Sequence, residues 1–253
     1  MTQAEKHLTS NTTTQTIKEL FERKSVRVFT EDTIAPEIKE VILHAATQAP
    51  TAGNQQLYTI LDITDQSLKE KLAESCDHQP FIAKAPMVLI FCADCQKWYD
   101  AFASQNCTPR KPGAGDLMLA VNDAVIAAQN AVCASESLGI GSCYIGDIME
   151  QCEFHRQLLQ LPPYVFPAAM LVFGYPVQQQ KEREKPVRCD LNYIVHENAY
   201  HPMGSEELKK MLQKNCPNGN FTTWIQAFCS RKYNSDFSRE MSRSVKEYLQ
   251  NFL

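Results

Sequence analysis

Apolar residues follow two rhythms along this chain, a helical spacing and short unbroken runs, and these place most of its elements. Thr13 to Lys24 carries Ile17, Leu20 and Phe21 at helical spacing, which predicts an amphipathic helix. Ala35-Pro36-Glu37 opens a second helix reaching about Ala49, with the proline suited to a first turn. Pro50 to Asn54 reads as a loop of small residues. Leu57 to Thr64 is β-branched and aromatic, as a strand requires, and Asp65 to Cys76 returns to helical spacing. The run within Pro86 to Ala93 is strand-length and apolar throughout, so it predicts a strand buried on both faces. Asp94 to Ala103 reads as a helix, and Asp116 to Leu138 as a long one ended by Gly139.

Downstream, Ser142 to Ile148 is a strand leading into a turn, and Glu150 to Leu161 a helix stopped by Pro162-Pro163. Pro167 to Gly174 is another buried strand. The pattern then changes. Gln178 to Lys185 reads as a polar linker, Lys185 to Pro202 has no clear period, and Ser205 to Lys214 and Asp236 to Phe252 are surface or partner-wrapping helices. Residues 1–12 are expected to be a flexible N-terminal tail. Strands interleaved with helices around one long apolar helix indicate a mixed α and β architecture.

That long helix is apolar nearly all round, which suits a central element or a large subunit interface. Asn122, Asp123, Gln129, Asn130 and Glu136 argue against a membrane span, since each is expensive in hydrocarbon. A chain of 253 residues with 44% hydrophobic content can build a substantial core. Its net charge of −4 argues against nucleic acid as a partner, although a small anion needs only a local basic cluster. Residues 1–16 are polar and threonine-rich, so the ten cysteines are expected to be reduced thiols in the cytoplasm.

Such a cluster stands just after the first helix. In an extended Arg23-Lys24-Ser25-Val26-Arg27 segment, Arg23, Ser25 and Arg27 share one face. Two guanidinium forks and a hydroxyl suit a phosphate monoester. The same residues could instead cap helix carbonyls and offset the dipole. Lys185 and Arg188 offer a second basic pair, or a solvated charged linker. The amides of Asn54 and Gln56 suit the edge of a flavin or base, or an ordinary turn. Cys92-Ala93-Asp94-Cys95 has redox-dithiol spacing, but no second ligand pair answers it and Cys92 continues a buried strand. No metal site is expected. His196-Glu197 lacks a second histidine at zincin spacing, and P-loop, G-x-S-x-G and dinucleotide fingerprints are absent.

In order and spacing, several motifs resemble the nitroreductase family of flavin enzymes, in particular its NADPH-dependent oxygen-insensitive nitroreductase and NADPH–flavin reductase group. They are Arg23-Lys24-Ser25-Val26-Arg27-Val28-Phe29, Phe91-Cys92-Ala93-Asp94, Gly139 through Gly146, Phe173-Gly174-Tyr175-Pro176, Lys185-Pro186-Val187-Arg188 and Val195 through Tyr200. The resemblance runs from about Leu20 to the C-terminus. It implies an α+β fold, a central, mostly antiparallel sheet flanked by helices, in one FMN-binding domain over 13–253 whose 177–253 part is linker and C-terminal arm. It also implies a homodimer that exchanges those arms.

By the same resemblance FMN is bound non-covalently. Arg23, Ser25, Arg27, Lys185 and Arg188, with Lys24 in the same segment, hold its phosphate and ribityl chain. Asn54 and Gln56 approach the ring, Gln79 lies near its edge, and Tyr144, Ile145, Gly146 and Asp147 present backbone amides to it. The implied reaction is ping-pong: NADPH or NADH reduces the flavin, and a small aromatic acceptor such as a nitro compound or quinone then oxidises it. No catalytic side chain is required. The alternatives are a dedicated flavin reductase and a non-enzymatic flavin-binding sensor.

Three positions depart from the group. Asp147 stands where a glycine is usual, placing negative charge where it would lower the flavin's potential. Lys185-Pro-Val-Arg188 is one residue longer than the usual motif. Asn215 to Thr223 lacks the arginines that grip a 2′-phosphate, which leaves NADH use open beside NADPH.

Overall fold

The computed structural model describes residues 13–216 and 219–253, so the tail expected over 1–12 lies outside the described residues. The chain divides into two compact units. Of the described residues, the larger holds 13–183 together with Glu240–Leu253, and the smaller holds those of Glu184–Arg239.

A four-stranded sheet forms the centre of the larger unit: β1 (Tyr58–Asp62), β2 (Met87–Asp94), β3 (Gly141–Ile145) and β4 (Val165–Gly174). Its order is β1-β2-β4-β3 and every pairing is antiparallel. Every residue of β2 and β4 is buried, which is why both read as unbroken apolar runs. β4 begins two residues before the start expected at Pro167. Pro167 has no N–H to give, and the β2–β4 register slips beside it, between Phe91 and Cys92.

The helices of this unit are α1 (Gln15–Glu22), α2 (Pro36–Thr47), α3 (Gln66–Ser75), α4 (Pro80–Lys84), α5 (Gln96–Ser104), α6 (Ala114–Ser137), α7 (Cys152–Leu158) and α8 (Gln178–Glu182). By length and composition α6 could cross a membrane, but here it is a core helix. Ala120, Ala124, Ala127, Ala128 and Ala131 are fully buried, and these small side chains let it approach α2 and the sheet closely. Its opposite face leaves Met118, Leu119, Val125 and Ile126 exposed. Two of these helices depart from the sequence reading. α4 was not anticipated, and α8 occupies most of the stretch expected to be a linker.

The smaller unit contains α9 (Ser205–Gln213), α10 (Phe221–Lys232) and the start of α11 (Asp236–Leu249), after an irregular stretch with one short turn at Leu191–Tyr193. α10 was also missed, although Phe221, Trp224, Ile225 and Phe228 have helical spacing. Asn220 caps it, its side chain accepting from Thr223 N at 3.1 Å.

Candidate functional site

The basic segment is extended, as its alternation required. Val26 N donates to Ser142 O at 2.9 Å and Thr30 N to Tyr175 O at 2.8 Å, tying the strand-like stretch to the start of β3 and the end of β4. Val26 is buried against Gly141, where any Cβ would lie 2.5 Å from Val26 Cγ2. Gly141 is therefore what lets the two backbones meet.

With Val26 turned inward, Arg23, Ser25 and Arg27 fall on the alternate positions. Their electrostatic and hydrogen-bonding reach converges on Cys143, whose thiol is buried and raised in pKa mainly by that burial, with Arg27, Ser25 and Arg23 acting in the opposite direction. Two polar atoms here are buried without a partner, Arg23 Nε and Ser142 Oγ. An unsatisfied guanidinium donor beside a serine and a second arginine fits an anion.

α8 braces this strand. Lys24 Nζ donates to the carbonyls of Lys181 and Arg183, Arg183 Nη2 donates to Ser25 O at 2.5 Å, and Arg27 N to Gln180 Oε1 at 3.4 Å. The Lys24 ammonium is thus engaged by helix-end carbonyls. Sequence reading missed Gln180 and Arg183, because α8 is polar on all sides and its partners are distant in the chain.

From Ser142, beside Ser25, β3 runs to Gly146, about 13 Å at the usual strand rise. Tyr144 is half-buried and its hydroxyl donates to Gln129 Oε1 at 3.3 Å. Burial pushes its pKa up to about 12. A short 3-10 turn, Gly146–Met149, follows. Gly146 is exposed, with open space where a Cβ would stand, so a flat group can come close to its backbone.

Two further segments carry expected site residues. In the loop after α2, Gly53, Asn54 and Gln56 all adopt left-handed backbone conformations. Buried Asp123 of α6 pins that loop: its Oδ1 accepts from Ala52 N at 3.1 Å, and its Oδ2 from Leu57 N at 3.1 Å and from the Thr51 hydroxyl. Gln56 N also donates to Thr51 Oγ1 at 2.7 Å, leaving the Asn54 and Gln56 side chains exposed. Gln79 follows Asp77 and His78, both left-handed, and its side chain donates to Cys76 O at 2.7 Å. The helix it starts brings Phe81 under Arg27, 6.0 Å from the guanidinium carbon to the ring centroid.

Lys185 and Arg188 belong to the smaller unit, where Arg188 Nη1 donates to Pro186 O at 3.3 Å. Cys92 and Cys95 are both buried, and burial pushes each thiol up to about 12, so neither supplies appreciable thiolate near neutrality.

A strand carrying Arg23, Ser25 and Arg27 thus lies at one end of β3 and an open glycine, Gly146, at the other. The nitroreductase family model matches residues 20–175, and the chain belongs to that family. It is 29% identical over 236 residues to the NAD(P)H FMN reductase of Bacillus subtilis, covering 92% of this chain and 90% of that one. It is 34% identical over 196 residues to the oxygen-insensitive NADPH nitroreductase of Salmonella typhimurium, covering 77% and 78%. Among solved structures, NfrA1 of B. megaterium superposes with a TM-score of 0.80 at 26% identity, over 93% of this chain and 98% of that one.

Proposed function

We propose that this protein is an FMN-dependent NAD(P)H oxidoreductase that reduces nitroaromatics, quinones or related small aromatic acceptors. The observation that carries this reading is the pair of orphaned polar atoms, Arg23 Nε and Ser142 Oγ, set beside Ser25 and Arg27 in a chain of this family. Bound FMN supplies the hydride-accepting and hydride-donating chemistry.

The chain's own residues bind and orient. Arg23, Ser25 and Arg27 hold the phosphate, while Lys24, Gln180 and Arg183 keep the strand that presents them in place. Tyr144, Ile145, Gly146 and Asp147 bring backbone amides to the ring end, where donors stabilise the negative charge of the reduced state. Asn54 and Gln56 hold the ring from the loop fixed by Asp123, and Gln79 lies at its edge. Lys185 and Arg188 are kept as phosphate ligands on the family resemblance.

The active form is a homodimer. Met118, Leu119, Val125 and Ile126 form an apolar face on α6 that suits a second copy, and Leu191, Ile194, Val195 and Tyr200 are apolar or aromatic and exposed in the arm. Native mass spectrometry of the FMN-loaded protein tests both points together: the expected species is two chains with two FMN. A monomer carrying FMN would remove the dimer, and a protein that takes up no FMN would remove the flavin.

A further inference from the structure

Behind the Asp147 end of the site, Glu150 is buried, with 6% of its surface exposed, and its Oε1 has no hydrogen-bonding partner. It closes the short turn that begins at Gly146, its N–H donating to Asp147 O at 3.0 Å. The groups around it are mostly acidic or neutral. Asp147 on its own turn, Asp77 after α3 and Glu240 on α11 each oppose its ionisation.

From the same stretch as Asp77, Cys76 is held as a neutral thiol, pushed up to about 12 chiefly by burial. On α7, His155 is fully buried, its Nδ1 2.7 Å from Glu150 O and its Nε2 2.8 Å from Ser75 Oγ. Burial holds its pKa below the usual value, so it contributes no positive charge near neutrality. Of the cations on that side, Arg243 is engaged by Glu153 at 2.8 and 2.9 Å and by Glu240 at 2.7 and 2.8 Å, and Arg156 of α7 lies over the Tyr248 ring, 4.9 Å from guanidinium carbon to centroid. No cation faces Glu150 directly among these groups.

We infer that Glu150 is a positioning residue for the flavin's charge: protonated, it is neutral, and ionised, it adds negative charge at the close of the turn that Gly146 opens and disfavours the electron-rich reduced state. This rests on the flavin reading above and deepens it. Burial first, then Asp147, Glu240 and Asp77, push the carboxyl from 4.5 up to about 7, so its charge changes within the working range of a neutral cell. A negative charge near the reduced ring lowers the potential by the same electrostatics that makes backbone donors raise it.

Two measurements test this, one of which needs no cofactor. In the apoprotein, Glu150 with a raised folded pKa binds its proton more tightly in the native state. The stability that Glu150 contributes is therefore fully present below about 4.5, is lost as pH rises towards about 7 and is absent above it. Glu150→Gln is expected to remove that component from the urea midpoint measured against pH. In the FMN-loaded protein, the midpoint potential of wild type and Glu150→Gln should coincide a pH unit or more below 7. Above 7 the wild type should lie lower. Asp77→Asn, tolerated at a left-handed position, keeps Glu150 and should move the wild-type break to lower pH.

Superimposed potential curves for wild type and Glu150→Gln, in a protein that does bind FMN, would overturn the inference alone. Should Glu150→Gln fail to fold, an Asp77→Asn break unmoved from wild type overturns it equally. Failure to take up FMN overturns the flavin reading and this inference with it.

Discussion

Asp123→Ala is expected to cost about 3 kcal/mol of folding stability and to loosen the loop that carries Asn54 and Gln56. The Asp123 carboxylate is 3% exposed and accepts from two backbone N–H groups and the Thr51 hydroxyl. Hydrogen bonds to a charged group contribute more than neutral ones, and removing the acceptor leaves Leu57 N buried with nothing to donate to. Asp123→Asn should also destabilise, though less. Both carboxylate oxygens accept from a backbone N–H, so whichever way an amide is placed its nitrogen faces a donor. Urea unfolding reads both effects, and an alanine variant within about 0.5 kcal/mol of wild type would show that the loop holds itself.

Arg27→Ala is expected to weaken FMN binding by about 1–3 kcal/mol, a loss of roughly 5- to 150-fold in affinity, because a charge-assisted partner of the phosphate is lost. Folding stability should change little, since the Arg27 side chain is exposed, touching the Phe81 ring and the Cys143 thiol. That separation is the useful feature of the experiment. Fluorescence titration with FMN measures the affinity; an unchanged value would assign Arg27 to the surface chemistry of the preceding helix end instead.

Much of the larger unit was legible in the sequence because its signals are local. β2 and β4 announce themselves as apolar runs because both of their faces are covered. The Arg23/Ser25/Arg27 alternation has meaning only in an extended chain, and the bridge to Ser142 provides one. What stayed hidden depends on partners far along the chain. Asp123 looks like one polar position on an apolar helix until the loop at Thr51 closes over it. α8 looks like a solvated linker, yet Gln180 and Arg183 hold the basic strand. Glu150 reads as the start of a helix, but Gln151, in a left-handed conformation, turns the chain before α7 begins, leaving Glu150 inside. α10 is different. Its apolar spacing, Phe221, Trp224, Ile225 and Phe228, is local and visible in the sequence, and the helix was still missed.

The central claim is that this chain holds FMN and passes electrons from a nicotinamide through it. The most direct measurement mixes the FMN-loaded protein anaerobically with NADPH, and separately with NADH, and follows the flavin band near about 450 nm, a property of the cofactor. Bleaching by at least one nicotinamide, restored by adding a quinone or nitroaromatic, is the predicted result. A flavin that stays oxidised with both nicotinamides would contradict the account.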